Sequence, residues 1–301
     1  LSSARSLGLS DHQWRHPQLR RTTQSVRSLS EPSSVRERAA AFLMALPSDV
    51  VLSHVTAAQL WHLPLPRGLE DQVALDVMRE SSRGRIVRRG CLSHKGGERR
   101  TTTTVHGLPV TSLLDTWVDL GEVVHRGIGR DDLVVAGDVV ATRTSRVPPG
   151  SPTADAVRPL ADALASRVRP RNAVLLQSAL ELVRPGVRSP MESRSRLMFV
   201  DAGFPEPEVN GHVHAADGGW LAECDLLWRA RKVIGEYQGA VHAGIRARSR
   251  DSHRNGLLTD EGWLVLEIFA EDHTDPQRRA LMLNRFARAL DLDPATLRIA
   301  A

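Results

Sequence analysis

The sequence predicts an α+β fold in two parts, and three observations carry that reading. Apolar residues recur at helical spacing in segments such as "VRERAAAFLMAL" (35–46) and "SHVTAAQLWHL" (53–63). Short alternating runs at 72–78, 85–94 and 101–111 have the period of a small sheet. Two clusters of Pro, Gly and Ser, "SRVPPGSPTAD" (145–155) and "RPGVRSP" (184–190), then set off a last segment that reads helix, strand, strand, strand, helix, strand, helix.

In chain order, residues 1–35 are rich in Ser and Arg and read as short helical pieces and a loop. The chain begins with Leu1 rather than Met, so an N-terminal element is expected to be incomplete. Ser53 is placed to cap the second helix, which "LPLP" ends, because the residue before a proline is pushed out of the helical region. After the alternating runs, "TSLLDTWVDLG" (111–121) returns to helix with Thr111 as its cap. Residues 36–145 thus form a mixed helix and small-sheet domain, and 146–188 a helical linker with helices near 153–167 and 171–184. Residues 189–301 form the last domain, with helices over 190–202, about 246–260 and 276–290 and strands over 208–215, 220–228, 232–238 and 262–269. "ADGG" (216–219) joins its first two strands as a hairpin.

A length of 301 residues exceeds one ordinary domain, which agrees with this division. Hydrophobic content of 41% and charged content of 25% exclude a disordered or fibrous chain. Lys and Arg number 40 against 35 acids, and almost all of the positive charge is Arg. Arg suits bidentate phosphate contacts, so nucleic acid fits as a partner, although an Arg-rich sequence background would look the same. Cys91 and Cys224 are far apart, which argues against a disulfide framework or a cysteine zinc site and for a reducing compartment. No apolar run reaches the roughly 20 residues that span a bilayer, and the start lacks a signal-peptide core, so a cytoplasmic protein with no membrane partner is expected.

The chemistry concentrates in "AECDLLWRARKVIGEYQGAVH" (222–242). A symmetric turn centred between Ala230 and Arg231 pairs residues whose numbers sum to 461, which makes Asp225 and Glu236 cross-strand neighbours. Their Cβ atoms would lie roughly 4.5–5.5 Å apart, where like charges destabilise a sheet. At an effective dielectric near 20 the repulsion is roughly 3 kcal/mol. A half-buried pair therefore needs a proton or a cation, and Mg²⁺ suits two carboxylates plus water and phosphate. The competing reading is a solvated hairpin in which the acids meet Arg229, Arg231 or Lys232. Glu192 has its own local explanation, because in "SPME" Ser189 at the N-cap, Pro190 and Glu192 form a capping box.

The order of elements, with an acid on the first helix and "D…E-x-Q" on the hairpin, resembles the PD-(D/E)XK nuclease superfamily. "SPMESRSRLMFVDAGFPEPEVN", "CDLLW", "GEYQGAVH" and "DSHRNGLLTDEGWLVLEI" are similar to the endonuclease-like family called domain of unknown function 559, related to very-short-patch-repair endonucleases. The resemblance spans about 188–292 and implies a restriction-endonuclease-like αβββαβ core. It implies metal binding by Asp225 and Glu236, an accessory carboxylate in Glu192 and the last signature position in Gln238. His242 would meet the phosphate or the leaving oxygen, and Asp251 and Arg254 would stand beside the site. The local alternatives are a surface histidine at 242 and an ordinary i,i+3 helix pair of Asp251 with Arg254. The expected cofactor is Mg²⁺ or Mn²⁺ and the expected reaction is phosphodiester hydrolysis on DNA. Gln238 departs from the usual Lys: it can orient water by hydrogen bonds but supplies no charge, so cleavage is expected to be slow or absent.

"VLSHVTAAQLWHLPLP" and "GLPVTSLLDTWVDLG" look like stretches of AbiEi-type antitoxins, transcriptional regulators with an N-terminal winged helix. That resemblance covers about 36–145, with the winged helix at most partly represented in 5–30. It implies a toxin partner, and a homodimer remains an open arrangement. His54, Thr56 and Asp115 are the polar residues of interest there, and helix packing and capping are the simpler account of them. Two functions follow: a Mg²⁺-dependent endonuclease, or an antitoxin-like DNA-binding regulator on a degenerate nuclease fold.

Overall fold

Ser34, Ser112 and Ser189 each accept a hydrogen bond from the backbone N–H three residues on, and each begins a helix. The computed structural model describes residue 8 and residues 10–145, 153–239 and 254–299. The chain divides into two units, Leu1–Val183 and Arg184–Ala301, and each combines helices with sheet, which makes the fold α+β. Among the described residues no helix is long and apolar enough to cross a membrane.

The first unit opens with a short helix α1 (Asp11–Trp14) and an antiparallel pair β1 (Arg20–Thr23) and β2 (Val26–Ser28). The short helix is one of the helical pieces expected here, the hairpin was not expected, and Ser25 makes its turn at a φ of 68°. Then come α2 (Val35–Leu43), β3 (Val51–Leu52), α3 (His54–Leu60), β4 (Leu75–Arg79), β5 (Cys91–Lys95), β6 (Thr102–Val105), β7 (Leu108–Thr111) and α4 (Leu113–Leu120). The five strands lie in the order β5-β4-β3-β7-β6. The run 101–111 is a hairpin, not one strand: His106 and Gly107 both take positive φ, 51° and 80°, as a tight two-residue turn requires. Ser112, not Thr111, caps α4, while the Thr111 hydroxyl bonds that of Thr116. Ser53 stands at the start of α3, but its hydroxyl meets the His54 ring instead of the helix backbone.

The unit closes with α5 (Arg130–Thr144), α6 (Thr153–Ala165) and α7 (Ala173–Leu182). The last two, expected as a linker, pack on α5, and α6 also meets α4. Trp117 is fully buried, and its indole N–H donates to the Leu133 carbonyl at 2.8 Å, so α4 is tied to α5 through the core.

The second unit runs α8 (Pro190–Asp201), β8 (Glu208–His214), β9 (Trp220–Trp228), β10 (Val233–Gln238), α9 (254–260), β11 (Leu264–Phe269) and α10 (Pro276–Ala289). The order matches the sequence expectation, and the part of the expected helix before 254 lies outside the described residues. The sheet is β11-β10-β9-β8, antiparallel except for the parallel β10–β11 pair. Phe199, Phe204, Trp228 and Phe286 build an aromatic core on one face, with ring centroids 4.7–5.5 Å apart. Gly235 lets β10 approach it: a Cβ there would stand 3.3 Å from both Ile268 and Phe286. The other face packs Val213, Ala222, Cys224 and Ile234 against Leu258 and Trp263.

Phe286 is fully buried at the centre of the aromatic group. Its truncation in Phe286→Ala is expected to destabilise the second unit by about 3–5 kcal/mol in urea unfolding. A loss under about 1 kcal/mol would contradict the packing described.

Candidate functional site

The hairpin register is the predicted one: Trp228 pairs with Val233, Leu227 with Ile234 and Leu226 with Gly235. The next pair in that register is Asp225 with Glu236, and there the ladder opens. The Tyr237 N–H donates to Asp225 Oδ2 at 2.9 Å, so a side chain takes the place of a backbone acceptor. The apolar pattern also changes face across Asp225. Ala222 and Cys224 pack with Ile234 and Leu258, whereas Leu226 and Trp228 pack with Phe199 and Phe286. On the neighbouring strand Asn210 has a φ of 49°, and the pairing passes from Val209–Leu226 to Gly211–Cys224. A left-handed residue inside a strand is a local strain that Asn tolerates better than most.

Asn210 uses that conformation to hold Glu192. Its Nδ2 donates to Glu192 Oε2 at 2.8 Å and to the Gly186 carbonyl at 2.9 Å. Glu192 Oε2 also accepts the Arg188 N–H at 2.9 Å. The capping box is therefore half as expected: Ser189 Oγ accepts the Glu192 N–H, but the return bond goes to Arg188 rather than to Ser189.

Glu236 is 8% exposed. Burial pushes its carboxyl up to about 7; the nearby Arg254 opposes the shift and the Asp225 charge adds to it. Asp225 is raised as well, first by burial, while the Tyr237 N–H opposes and the Glu192 charge adds. Arg254 Nη2 stands 3.3 Å from Glu236 Oε1, yet that oxygen has no hydrogen bond. The cations nearest in sequence are engaged elsewhere. Arg229 pairs with Glu208, Arg231 with Asp291, and Lys232 bonds the Glu261 carbonyl, so the solvated-hairpin alternative does not hold.

The sheet and α9 thus bring Glu236, Asp225 and Arg254 together, with Glu192 close enough to act on Asp225 electrostatically. Gln238 follows on the same strand, two residues beyond Glu236, and is exposed. His242 and Asp251 lie outside the described residues. Among the described residues, Glu192, Asp225 and Glu236 do not bring three ligand atoms within 4.8 Å of one another. Glu192 is accordingly a neighbour of the acid pair and not a third member of a tight cluster.

Three residues near the acids of the second unit, and Asp119 and Glu122 in the first, had no role in the sequence reasoning. Asn210 carried only the weak signal of an Asn beside a Gly within a strand pattern. Cys224 adjoins Asp225, and its thiol is pushed up to about 12, first by burial and then by the Glu236 charge. Glu267, exposed on β11, stands level with Glu236 in the parallel register. In the first unit His54, Asp119 and Glu122 do bring three ligand atoms within 4.8 Å, so a group able to hold a metal ion is present there. Asp115 is a structural group: it accepts from Thr101 N–H and the Ser112 hydroxyl and pairs with Arg167. Thr56 likewise accepts the Asp76 N–H.

By class this is an α+β chain whose second unit carries a buried Glu236 beside a half-buried Asp225 on a mixed sheet. Over 132 residues it is 32% identical to two uncharacterized proteins of Mycobacterium tuberculosis, MT2308 and Rv2248, across 43% of this chain and 47% of each relative. The chain spans about half the length of the curated relatives it matches. No family model matches it, and no solved structure matches it significantly.

The raised Glu236 fixes the sign of a pH effect. The folded state holds this proton more tightly than the unfolded chain, so its contribution is present below pH 4.5 and is lost as pH rises through about 7. In metal-free buffer, stability is expected to fall by up to roughly 3 kcal/mol across that window relative to Glu236→Gln. Chemical denaturation at stepped pH measures this. Equal pH slopes for the two proteins would remove the assigned shift.

Proposed function

We propose that the second unit is a Mg²⁺- or Mn²⁺-dependent endonuclease that hydrolyses phosphodiester bonds in DNA, with a site of the PD-(D/E)XK kind. One observation carries the reading: a buried glutamate, Glu236, and the half-buried Asp225 sit together where the strand ladder opens, and one Glu236 oxygen has no hydrogen bond. Structural acids in a sheet are normally paired or solvated, and a buried carboxyl beside a half-buried one, both shifted upward, suits a site completed by a cation.

The donor set, two carboxylates, fits a hard divalent ion. The Tyr237 N–H holds Asp225 Oδ2, which leaves Oδ1 as its ligand atom, and Glu236 offers Oε1. When bound, the ion polarises the phosphate and lowers the pKa of a water molecule. Asn210 keeps Glu192 in one orientation beside Asp225, so its charge favours cation entry. Gln238 positions water by its amide but contributes no positive charge to the phosphorane, which makes this a slow nuclease. His242 and Asp251 remain assigned by resemblance to phosphate contact and to the helix beside the site.

Arg254 supports a second reading. Its guanidinium already supplies one positive charge 3.3 Å from Glu236, and Gln238 is neutral. Such a site can serve as a scaffold for an antitoxin-like DNA-binding regulator, with a toxin partner or a second copy of the chain.

The full chain is expected to nick supercoiled plasmid with Mg²⁺ or Mn²⁺ and not with EDTA. Asp225→Asn and Glu236→Gln should lower the rate roughly 10²-fold or more, and Gln238→Lys should raise it. Salt-sensitive DNA binding without cleavage under either metal would select the regulator. Cleavage unchanged in both acid variants would reject the assigned site.

A further inference from the structure

We infer that the first unit holds a divalent transition-metal ion, Zn²⁺ in chemical class, on His54 Nε2, Asp119 Oδ2 and Glu122 Oε2. This site is separate from the acid pair of the second unit and does not depend on the nuclease reading.

The division of labour among the oxygens is the first argument. Arg100 bonds Asp119 Oδ1 at 2.8 Å and Glu122 Oε1 at 2.5 Å, and Arg167 bonds Asp119 Oδ1 at 3.2 Å. Each carboxylate thus gives one oxygen to arginine and keeps the other. His54, Asp119 and Glu122 each offer one ligand atom within 4.8 Å of the others, and His54 Nε2 stands 3.6 Å from the oxygen that Glu122 keeps. His54 and Asp119 are fully buried, and His54 Nε2 and Asp119 Oδ2 have no hydrogen-bond partner. Two orphaned polar atoms facing one small volume are a cost that a fold rarely keeps without a ligand.

The histidine is also prepared for the role. Its Nδ1 lies 2.9 Å from Ser53 Oγ, and a bond donated from Nδ1 leaves the lone pair on Nε2. His54 holds a φ of 47°, a strained value for a residue with a Cβ, and stacks on His94 with centroids 3.6 Å apart. This explains why the Ser53 hydroxyl is turned from the helix backbone. His54 Nε2 and Glu122 Oε2 are 3.6 Å apart, close to the roughly 3.4 Å edge of a tetrahedral zinc site with bonds near 2.0–2.1 Å.

Charge and access agree. Asp115, Asp119 and Glu122 give three negative charges against two from Arg100 and Arg167, which leaves one in excess (3 − 2 = 1). Glu122 also lines a cavity of about 640 Å³ with His94, His125 and Arg126, so the group borders open space on the Glu122 side. One imidazole with two carboxylates favours zinc or manganese over magnesium, which prefers oxygen alone.

Equilibrium dialysis of the EDTA-stripped full chain against ZnCl₂, read by elemental analysis, tests this. One tightly held zinc is expected in the wild type and in Glu236→Gln, with binding at least tenfold weaker in Glu122→Gln and in His54→Gln. Glu122→Gln keeps an oxygen for Arg100 and is partly exposed, so it remains informative should His54→Gln fail to fold. Co²⁺ substitution should give a visible absorption band that Glu122→Gln loses. The absence of tight zinc in the wild type, or zinc held equally by Glu122→Gln, would show that the group is an arginine-neutralised ion network, and loss of zinc in Glu236→Gln alone would place the ion in the second unit.

Discussion

A carboxylate taken out of water must find compensation, and this chain meets that requirement in two opposite ways. Asp76 is fully buried, and burial alone would raise its carboxyl. Instead His94, Arg126 and Gln72 surround it with hydrogen bonds of 2.8–3.2 Å and hold it at about 2. Glu236, buried almost as deeply, has one guanidinium at 3.3 Å, a like charge in Asp225 and an oxygen with no hydrogen bond, and it rises to about 7. The same chemistry thus yields a closed ionic network in one unit and an open acidic site in the other. That difference is what separates a structural acid from a functional candidate.

The opening of the β9–β10 ladder follows from the same need. A regular pair at Asp225 and Glu236 would set two carboxylates side by side against an apolar layer. The strands instead change phase at Asp225, the Tyr237 N–H turns to a side-chain acceptor, and Asn210 takes a left-handed conformation on the next strand. None of this weakens the core beneath, because the aromatic group around Phe286 lies on the other face, under Gly235. The scaffold is firm where it positions the acids and irregular only at the level where they stand.

Much of this was legible in the sequence. Turn symmetry gave the register, and the strand and helix order of the second unit follows from periodicity and from "SPME", "ADGG" and the closing helix. Other features were not, for identifiable reasons. The phase change at Asp225 cancels the alternation that would reveal it, so a strand reading carries straight through. The Arg254–Glu236 contact joins a helix to a strand 18 residues earlier, beyond any local spacing rule. In the first unit His106–Gly107 hid a hairpin inside one alternating run, since the turn carries none of the Asn-Gly, Asp-Gly or Gly-Gly pairs that usually mark it. Asp119 and Glu122 are neighbours by their i,i+3 spacing, but Arg100 and His54 come from elsewhere in the chain, and only the fold brings them to the acids.

The central claim is that Arg254 compensates the buried Glu236 only in part and that a divalent ion completes the compensation. Titration of the Glu236 carboxyl carbon by isotope-edited NMR in the full chain tests it most directly. The account predicts an apparent pKa near 7 without metal and below about 4.5 with saturating Mg²⁺. A carboxyl that titrates near 4.5 without metal, or stays near 7 in saturating Mg²⁺, would contradict it.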